Sequence, residues 1–252
     1  MFKDHLKVMA SSRIVSRNEK RLFSKMSSDW WTADDKKKWI FSKQLNWISN
    51  NLPQVEHGTA LDIGLGKGRY TKLLDEFYST VGIDINKTII HLTKADTRLE
   101  ILDMDTENLG FRDEMFDVIT AIELTPHISY IQRMLPEAYR ILKPRGVFFI
   151  SITNSNSLYT LWTMKVNPVF KKIKHLRIQY SPSEFESLLK IYGFNVVKKY
   201  EIGVFTPLSL YPKWKNTLIP SCVSELCSDK IDRSLGRYLG SNITYMIQKY
   251  SK

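Results

Sequence analysis

LDIGLGKGR, residues 61–69, is the stretch on which the fold turns. Gly64, Gly66 and Gly68 alternate with bulkier residues directly after the apolar run TALDI, residues 59–63. A glycine turn between a strand and a helix lets the backbone approach a ligand closely. Two phosphate-binding patterns are excluded. The dinucleotide fingerprint G-x-G-x-x-G requires a glycine where Arg69 stands, and the G-x-x-x-x-G-K-[ST] loop is absent. An acid sharpens the reading: TVGIDI, residues 80–85, contains Asp84, which lies 22 residues after Asp62. A carboxylate ending the second strand can accept hydrogen bonds from both hydroxyls of a ribose.

Outward from this turn, apolar runs alternate with helical stretches from Gly58 to Asn154, the pattern of parallel βαβ units. Residues 67–77 predict a helix with Tyr70, Leu73, Leu74 and Phe77 on its apolar face. NKTIIHLTKA predicts a second helix, RLEIL a third strand and FDVITAI a fourth. ISYIQRMLPEAYRIL predicts a helix irregular at Pro136, LKPRG a turn and VFFISIT a fifth strand. SPSEFESLLKIYG opens on a Ser-Pro helix start and stops at a glycine. FNVVKKYEIG and SNITYMIQKY predict the last two strands. Before the core, DDKKKWIFSKQLNWISNNL predicts an amphipathic helix with Trp39, Leu45, Trp47 and Ile48 as its apolar residues. The expected organisation is an N-terminal helical cap, residues 1–56, and one large α/β domain, residues 57–252, carrying a basic insert at 155–180 and an irregular insert at 204–240.

The chain has 252 residues and a formal net charge of +11, unevenly placed. Residues 57–150 carry 11 basic and 14 acidic side chains, whereas residues 151–180 carry 5 basic and none acidic. A basic balance attracts polyanions or anionic membranes, and it also simply keeps proteins soluble. No apolar run approaches the roughly 20 residues that cross a bilayer. The basic, Ser-rich N-terminus lacks the apolar centre of a secretory signal, and Asp4 and Glu19 count against an organelle-targeting peptide. Cys222 and Cys227 are spaced neither as a metal knuckle nor as a redox pair, so free thiols in a reducing, cytoplasmic setting are expected.

Taken together, D-x-G-x-G-x-G at residues 62–68 and the acidic end of strand two resemble the class I S-adenosylmethionine-dependent methyltransferases. LDMDTENLGF, residues 102–111, is similar to that family's G-D-A-E-x-L-P-F segment. FDVITAIELTPHI is similar to F-D-x-V-x-x-x-E-V-L-E-H-V, matching Asp117, Glu123 and His127. ILKPRGVFFIS is similar to V-L-K-P-G-G-x-L-x-x-S. The resemblance implies a Rossmann-like seven-stranded sheet, mostly parallel with an antiparallel last strand and helices on both faces. It implies S-adenosylmethionine as cofactor and S-adenosylhomocysteine as product. The implied seat is Asp62, Gly64, Leu65, Gly66 and Gly68 in the turn, Asp84 on the ribose with Ile85 beside it, Asp105 on the adenine amino group with Thr106, and Ala121 on strand four. FSKMSSDWW, residues 23–31, resembles the F-x-x-x-x-S-x-W-W stretch of ubiquinone-pathway O-methyltransferases, which methylate phenolic hydroxyls on polyprenylated rings. In those enzymes the fourth-strand motif reads E-x-x-E-H. Thr125 and Pro126 precede His127 here, so the second Glu is missing and no metal is expected. Leu65 replaces a frequent Cys, and Arg145 a glycine.

Methyl transfer to a hydroxyl needs a base. His127 sits just past strand four, at the carboxyl edge where open α/β sheets bind ligands, and an imidazole with a pKa near 6.5 suits proton removal at neutral pH. Its alternative is a histidine that only bonds nearby backbone. Glu123 faces either the methionine end of the cofactor or the acceptor; its alternative is a capping or ion-paired role. The acceptor side is expected to include Trp30, Trp31, Tyr159 and Trp162. Residues 157–180 predict a substrate lid, hydrophobic below and basic above, with peripheral membrane contact as the alternative. The expected reaction is O-methylation of a small lipophilic or phenolic acceptor. Alternatives are N-methylation of a small amine or amino sugar, an RNA or protein methyltransferase, and a cofactor-binding interaction subunit without catalysis. Nucleic acid is not favoured, because the fourth-strand motif is not the N-P-P-Y type and no RNA-binding module is appended. Oligomeric state is not legible.

Overall fold

The computed structural model describes residues 38–96, 99–128, 130–157, 160–161, 178–202 and 240–250. Helix α1 (Lys38–Ser49) precedes β1 (Thr59–Ile63), α2 (Arg69–Asp75), β2 (Ser79–Asp84), α3 (Lys87–Asp96), β3 (Glu100–Asp103) and β4 (Phe116–Ala121). A 3-10 turn (Thr125–His127), α4 (Ile131–Ile141), β5 (Leu142–Thr153), α5 (Pro182–Ile191), β6 (Phe194–Ile202) and β7 (Asn242–Lys249) follow. The strands form one sheet in the order β3-β2-β1-β4-β5-β7-β6. Strands β1 to β5 pair in parallel, and β7 runs antiparallel to both β5 and β6. This is the mostly parallel, Rossmann-like α/β architecture with an antiparallel last strand.

Strand alternation divides the core between two faces. Leu61 and Ile63 of β1 and Phe148, Ile150 and Ile152 of β5 share one apolar cluster with Ile131, Met134, Leu135 and Ala138 of α4 and Phe185 and Leu189 of α5. Ala60, Val118, Val147 and Phe149 point the other way, against Tyr70 and Leu74 of α2 and Ile48 of α1. Trp47 stacks on Tyr200 at 5.5 Å and meets Phe149 edge-on at 6.0 Å, which seats α1 across β5 and β6.

Three details differ from the sequence reading. Phe77 lies past the end of α2 and is 54% exposed, because the helix stops at Asp75 and its apolar stripe ends with Leu74. Helix α4 continues unbroken across Pro136. Strand β5 starts at Leu142, so LKPRG belongs to it: Phe116 pairs with Leu142 and Val118 with Val147, and Lys143–Gly146 loops out as a bulge. Arg145 takes φ +65° there, a conformation a glycine enters without a Cβ penalty.

Candidate active site

The glycine turn sits at the carboxyl edge of the sheet, held by its neighbours. Gly64 and Leu65 donate their N–H groups to the Ile83 carbonyl at 2.8 and 3.0 Å, and Gly68 donates to Leu65 O at 2.8 Å. All three glycines have positive φ. A Cβ on Gly64 would come within 2.7 Å of Leu124 Cδ1, so the turn is pressed against the loop that follows β4. A Cβ on Gly66 would find only Gly64 O, at 3.9 Å, which leaves an open side from which a ligand can reach the backbone. Leu65 itself is buried with Ile90 and Ile101, so this residue can offer a ligand only its main chain.

Asp84 ends β2 beside this turn. Its Oδ2 accepts from Gly66 N at 3.2 Å and its Oδ1 from Asn86 N at 2.9 Å, and Ile85, the next residue, is half-buried. Burial raises its pKa above the usual carboxylate range, against these bonds. Each carboxylate oxygen has a second lone pair, so the group retains the fork that a vicinal diol would fill. Asp105 follows β3 in a turn where its Oδ1 accepts from Glu107 N at 3.1 Å, with Thr106 between them. The adenine-side, ribose-side and glycine-turn positions therefore line up along one edge in strand order. That edge fits an adenosyl cofactor.

Asp62 behaves differently from its neighbours. It is 1% exposed, and its two oxygens accept from Thr71 Oγ1 at 2.6 Å and Thr120 Oγ1 at 2.7 Å. Burial pushes its pKa up to about 6. This acid ties β1, α2 and β4 together behind the turn. Thr71 and Thr120 carry no spacing signal, which is why sequence reasoning misses them.

Ala121, the last residue of β4, is wholly buried, and Glu123, two residues on, is half-buried. Glu123 has φ +58°; its N–H donates to Ser151 Oγ at 2.7 Å, and its Oε1 accepts from Asn242 Nδ2. Thr125 donates to the Ser151 carbonyl at 2.7 Å, fixing the 3-10 turn on β5. His127 closes that turn, half-buried, with its N–H on Leu124 O at 2.9 Å. The structure thus brings Glu123, His127 and the glycine turn to one edge. Trp30, Trp31, Tyr159 and Trp162 lie outside the described residues, as do residues 1–37, the 204–239 stretch, both cysteines and most of the 157–180 segment. Among the described residues, no helix is long and apolar enough to cross a membrane, and no three His, Cys, Asp or Glu side chains form a metal-binding group.

Known proteins agree with this geometry. A family model described as "Methyltransferase domain" matches residues 61–150. The chain is 28% identical over 163 residues to a ubiquinone biosynthesis O-methyltransferase of Coxiella burnetii, covering 61% of this chain and 69% of that protein. It is 26% identical over 237 residues to the mitochondrial ubiquinone biosynthesis O-methyltransferase of Rattus norvegicus, covering 82% and 68%. Among solved structures, a methyltransferase of Thermotoga maritima described as a possible histamine N-methyltransferase superposes with a TM-score of 0.68 at 16% identity, covering 92% of this chain and all (100%) of that one. An S-adenosylmethionine-dependent methyltransferase of Archaeoglobus fulgidus superposes with a TM-score of 0.61 at 18% identity, covering 88% and 100%. Residues 61–150 thus carry a methyltransferase domain, and the chain has the fold of the S-adenosylmethionine-dependent methyltransferases.

Proposed function

We propose that this enzyme methylates a hydroxyl of a small lipophilic or phenolic acceptor, with His127 as the base. The observation that carries the reading is the contact of Leu124 with Gly64, which joins the Glu123–His127 loop to the glycine turn. When bound, the cofactor supplies an electrophilic methyl group on a positively charged sulfur, which keeps the bonding pair and leaves as a neutral thioether. The chain's own residues orient and deprotonate. Asp84 and the turn fix the adenosyl end, Asp105 the base. Holding two reactants in line supplies roughly 7–11 kcal/mol of such a barrier. His127 takes the acceptor's proton as the carbon–oxygen bond forms. The likeness to ubiquinone biosynthesis O-methyltransferases supports a phenolic oxygen as acceptor. Trp30, Trp31, Tyr159 and Trp162 are assigned to the acceptor side, and residues 157–180 to a lid over it.

The test is an acceptor screen following S-adenosylhomocysteine release, with quinol-type phenols, small amines, sugars and RNA in parallel. Turnover confined to the phenols supports the assignment. Turnover with amines or RNA, and none with phenols, overturns it.

A further inference from the structure

We propose that Gln44 and Asn242 are positioning residues that hold the Glu123 carboxylate at the sulfonium end of the cofactor seat. The held carboxylate makes the site favour the cationic donor over its neutral product. The inference rests on the cofactor reading above.

Four residues far apart in sequence form one directed chain of hydrogen bonds. Tyr70 of α2 donates its hydroxyl to Gln44 Oε1 at 3.0 Å. Gln44 of α1, fully buried, donates its Nε2 to Asn242 Oδ1 at 3.0 Å and to Thr244 Oγ1 at 3.1 Å. Asn242, the first residue of β7, donates its Nδ2 to Glu123 Oε1. A side-chain amide can usually be turned either way round, but an ionised carboxylate at the end of the chain accepts and never donates. That fixes Asn242 with its nitrogen toward Glu123, and therefore Gln44 with its nitrogen toward Asn242. Leucine or methionine at position 44 would fill the same apolar interface. The buried amide is there at the cost of satisfying every one of its polar atoms.

The far end of the chain is under constraint as well. Glu123 occupies the left-handed region at φ +58°, its main chain tied to Ser151 of β5 and its side chain to β7. A non-glycine residue in this conformation persists only where its surroundings over-determine it, and such residues gather at functional sites. Its position follows from strand order. Asp105 follows β3, Asp84 ends β2, the glycine turn follows β1 and Glu123 follows β4. A cofactor running along this edge from adenine through ribose delivers its sulfur toward Glu123. There a carboxylate attracts the positive sulfonium and finds no charge on the thioether product. Both ligands share every other contact, so the chain acts on their ratio. Helix α1 belongs to the same device: Phe41, one turn before Gln44, lies under the Arg69 guanidinium at 4.0 Å, beside Tyr70.

Titration calorimetry of the full chain with S-adenosylmethionine and with S-adenosylhomocysteine tests this without any acceptor. The readout is the ratio of the two dissociation constants, which a general loss of structure leaves in place. Glu123→Gln is expected to move the ratio at least about tenfold toward the product. Asn242→Leu and Gln44→Met should move it in the same direction by several-fold. Gln44→Glu keeps the acceptor for Tyr70 and loses the donor for Asn242, so it should behave as Gln44→Met does. Should these buried substitutions fail to fold, Tyr70→Phe removes a single oxygen atom and is expected to shift the ratio likewise. An unmoved ratio in Glu123→Gln overturns the proposal. So does a ratio moved by Glu123→Gln and by neither Asn242 nor Gln44 nor Tyr70 substitution. If the intact chain binds neither ligand, the cofactor reading falls and takes this proposal with it.

Discussion

Asp62, at the end of β1, and His127, past β4, call for opposite experiments. Asp62 is buried, and its carboxyl is pushed from 3.8 up to about 6 because burial penalises the charged form. A folded-state pKa above the unfolded value contributes stability that is complete below about pH 4 and lost as pH rises through about 6. Asn at this position keeps an acceptor for one threonine and offers an N–H to the other, whose hydroxyl can accept. Denaturant melts of the two proteins should therefore show wild-type stability falling relative to Asp62→Asn between about pH 4 and 6. A constant difference across that window would mean that the folded and unfolded chains bind the Asp62 proton equally. His127 is tested by turnover. A general base contributes on the order of 10²–10⁴ in rate, so His127→Ala should lower kcat by about a hundredfold or more and remove the acidic limb of the pH–rate profile. Near-normal turnover with the true acceptor would reduce His127 to a turn residue.

At the level of elements, the parallel half of the molecule was legible because its strands are continuous apolar runs and its helices carry short apolar stripes. The turn LDIGLGKGR reads correctly as strand, turn and helix because glycines mark the change of direction. Where the reading departs from the structure, the deciding contacts are distant. LKPRG contains turn-forming residues, yet β4 pairs with its first residue, Leu142, and with Val147 just after it, so Lys143–Gly146 is absorbed as a bulge in β5. Phe77 matches the α2 stripe by spacing, but the helix has ended before it. The polar chain from Tyr70 to Glu123 is invisible along the chain, since Gln44 and Asn242 are 198 residues apart. Helix α5 is the contrary case, written wholly in local residues. Ser181 accepts from Glu184 N at 3.3 Å and donates its own N–H to Glu184 Oε2 at 2.9 Å, a complete capping box ahead of Pro182. Removing the hydroxyl in Ser181→Ala should cost about 1 kcal/mol in urea unfolding and leave cofactor affinity unchanged. A loss of affinity would show that α5 reaches the cofactor edge.

For the whole molecule, the sheet order converts a linear series of motifs into a site. Strands β3, β2, β1 and β4 stand side by side, so Asp105, Asp84, Gly66 and Glu123 follow one another along the same edge. The basic charge sits mainly outside this acidic middle, with residues 57–150 carrying more acids than bases. The donor seat is thereby separated in sequence from the segments expected to choose the acceptor. Those segments are the least periodic in the sequence, which is why the donor is legible and the acceptor is not. The central claim is that an adenosyl cofactor binds along this edge with its ribose on Asp84. Titration calorimetry of S-adenosylmethionine into the intact chain and into Asp84→Ala tests it most directly. A half-buried carboxylate accepting two hydroxyl bonds contributes about 1.5–3 kcal/mol per bond, so the substitution should weaken binding at least about a hundredfold. Equal affinity in the two proteins, or no binding by the intact chain, would contradict the account.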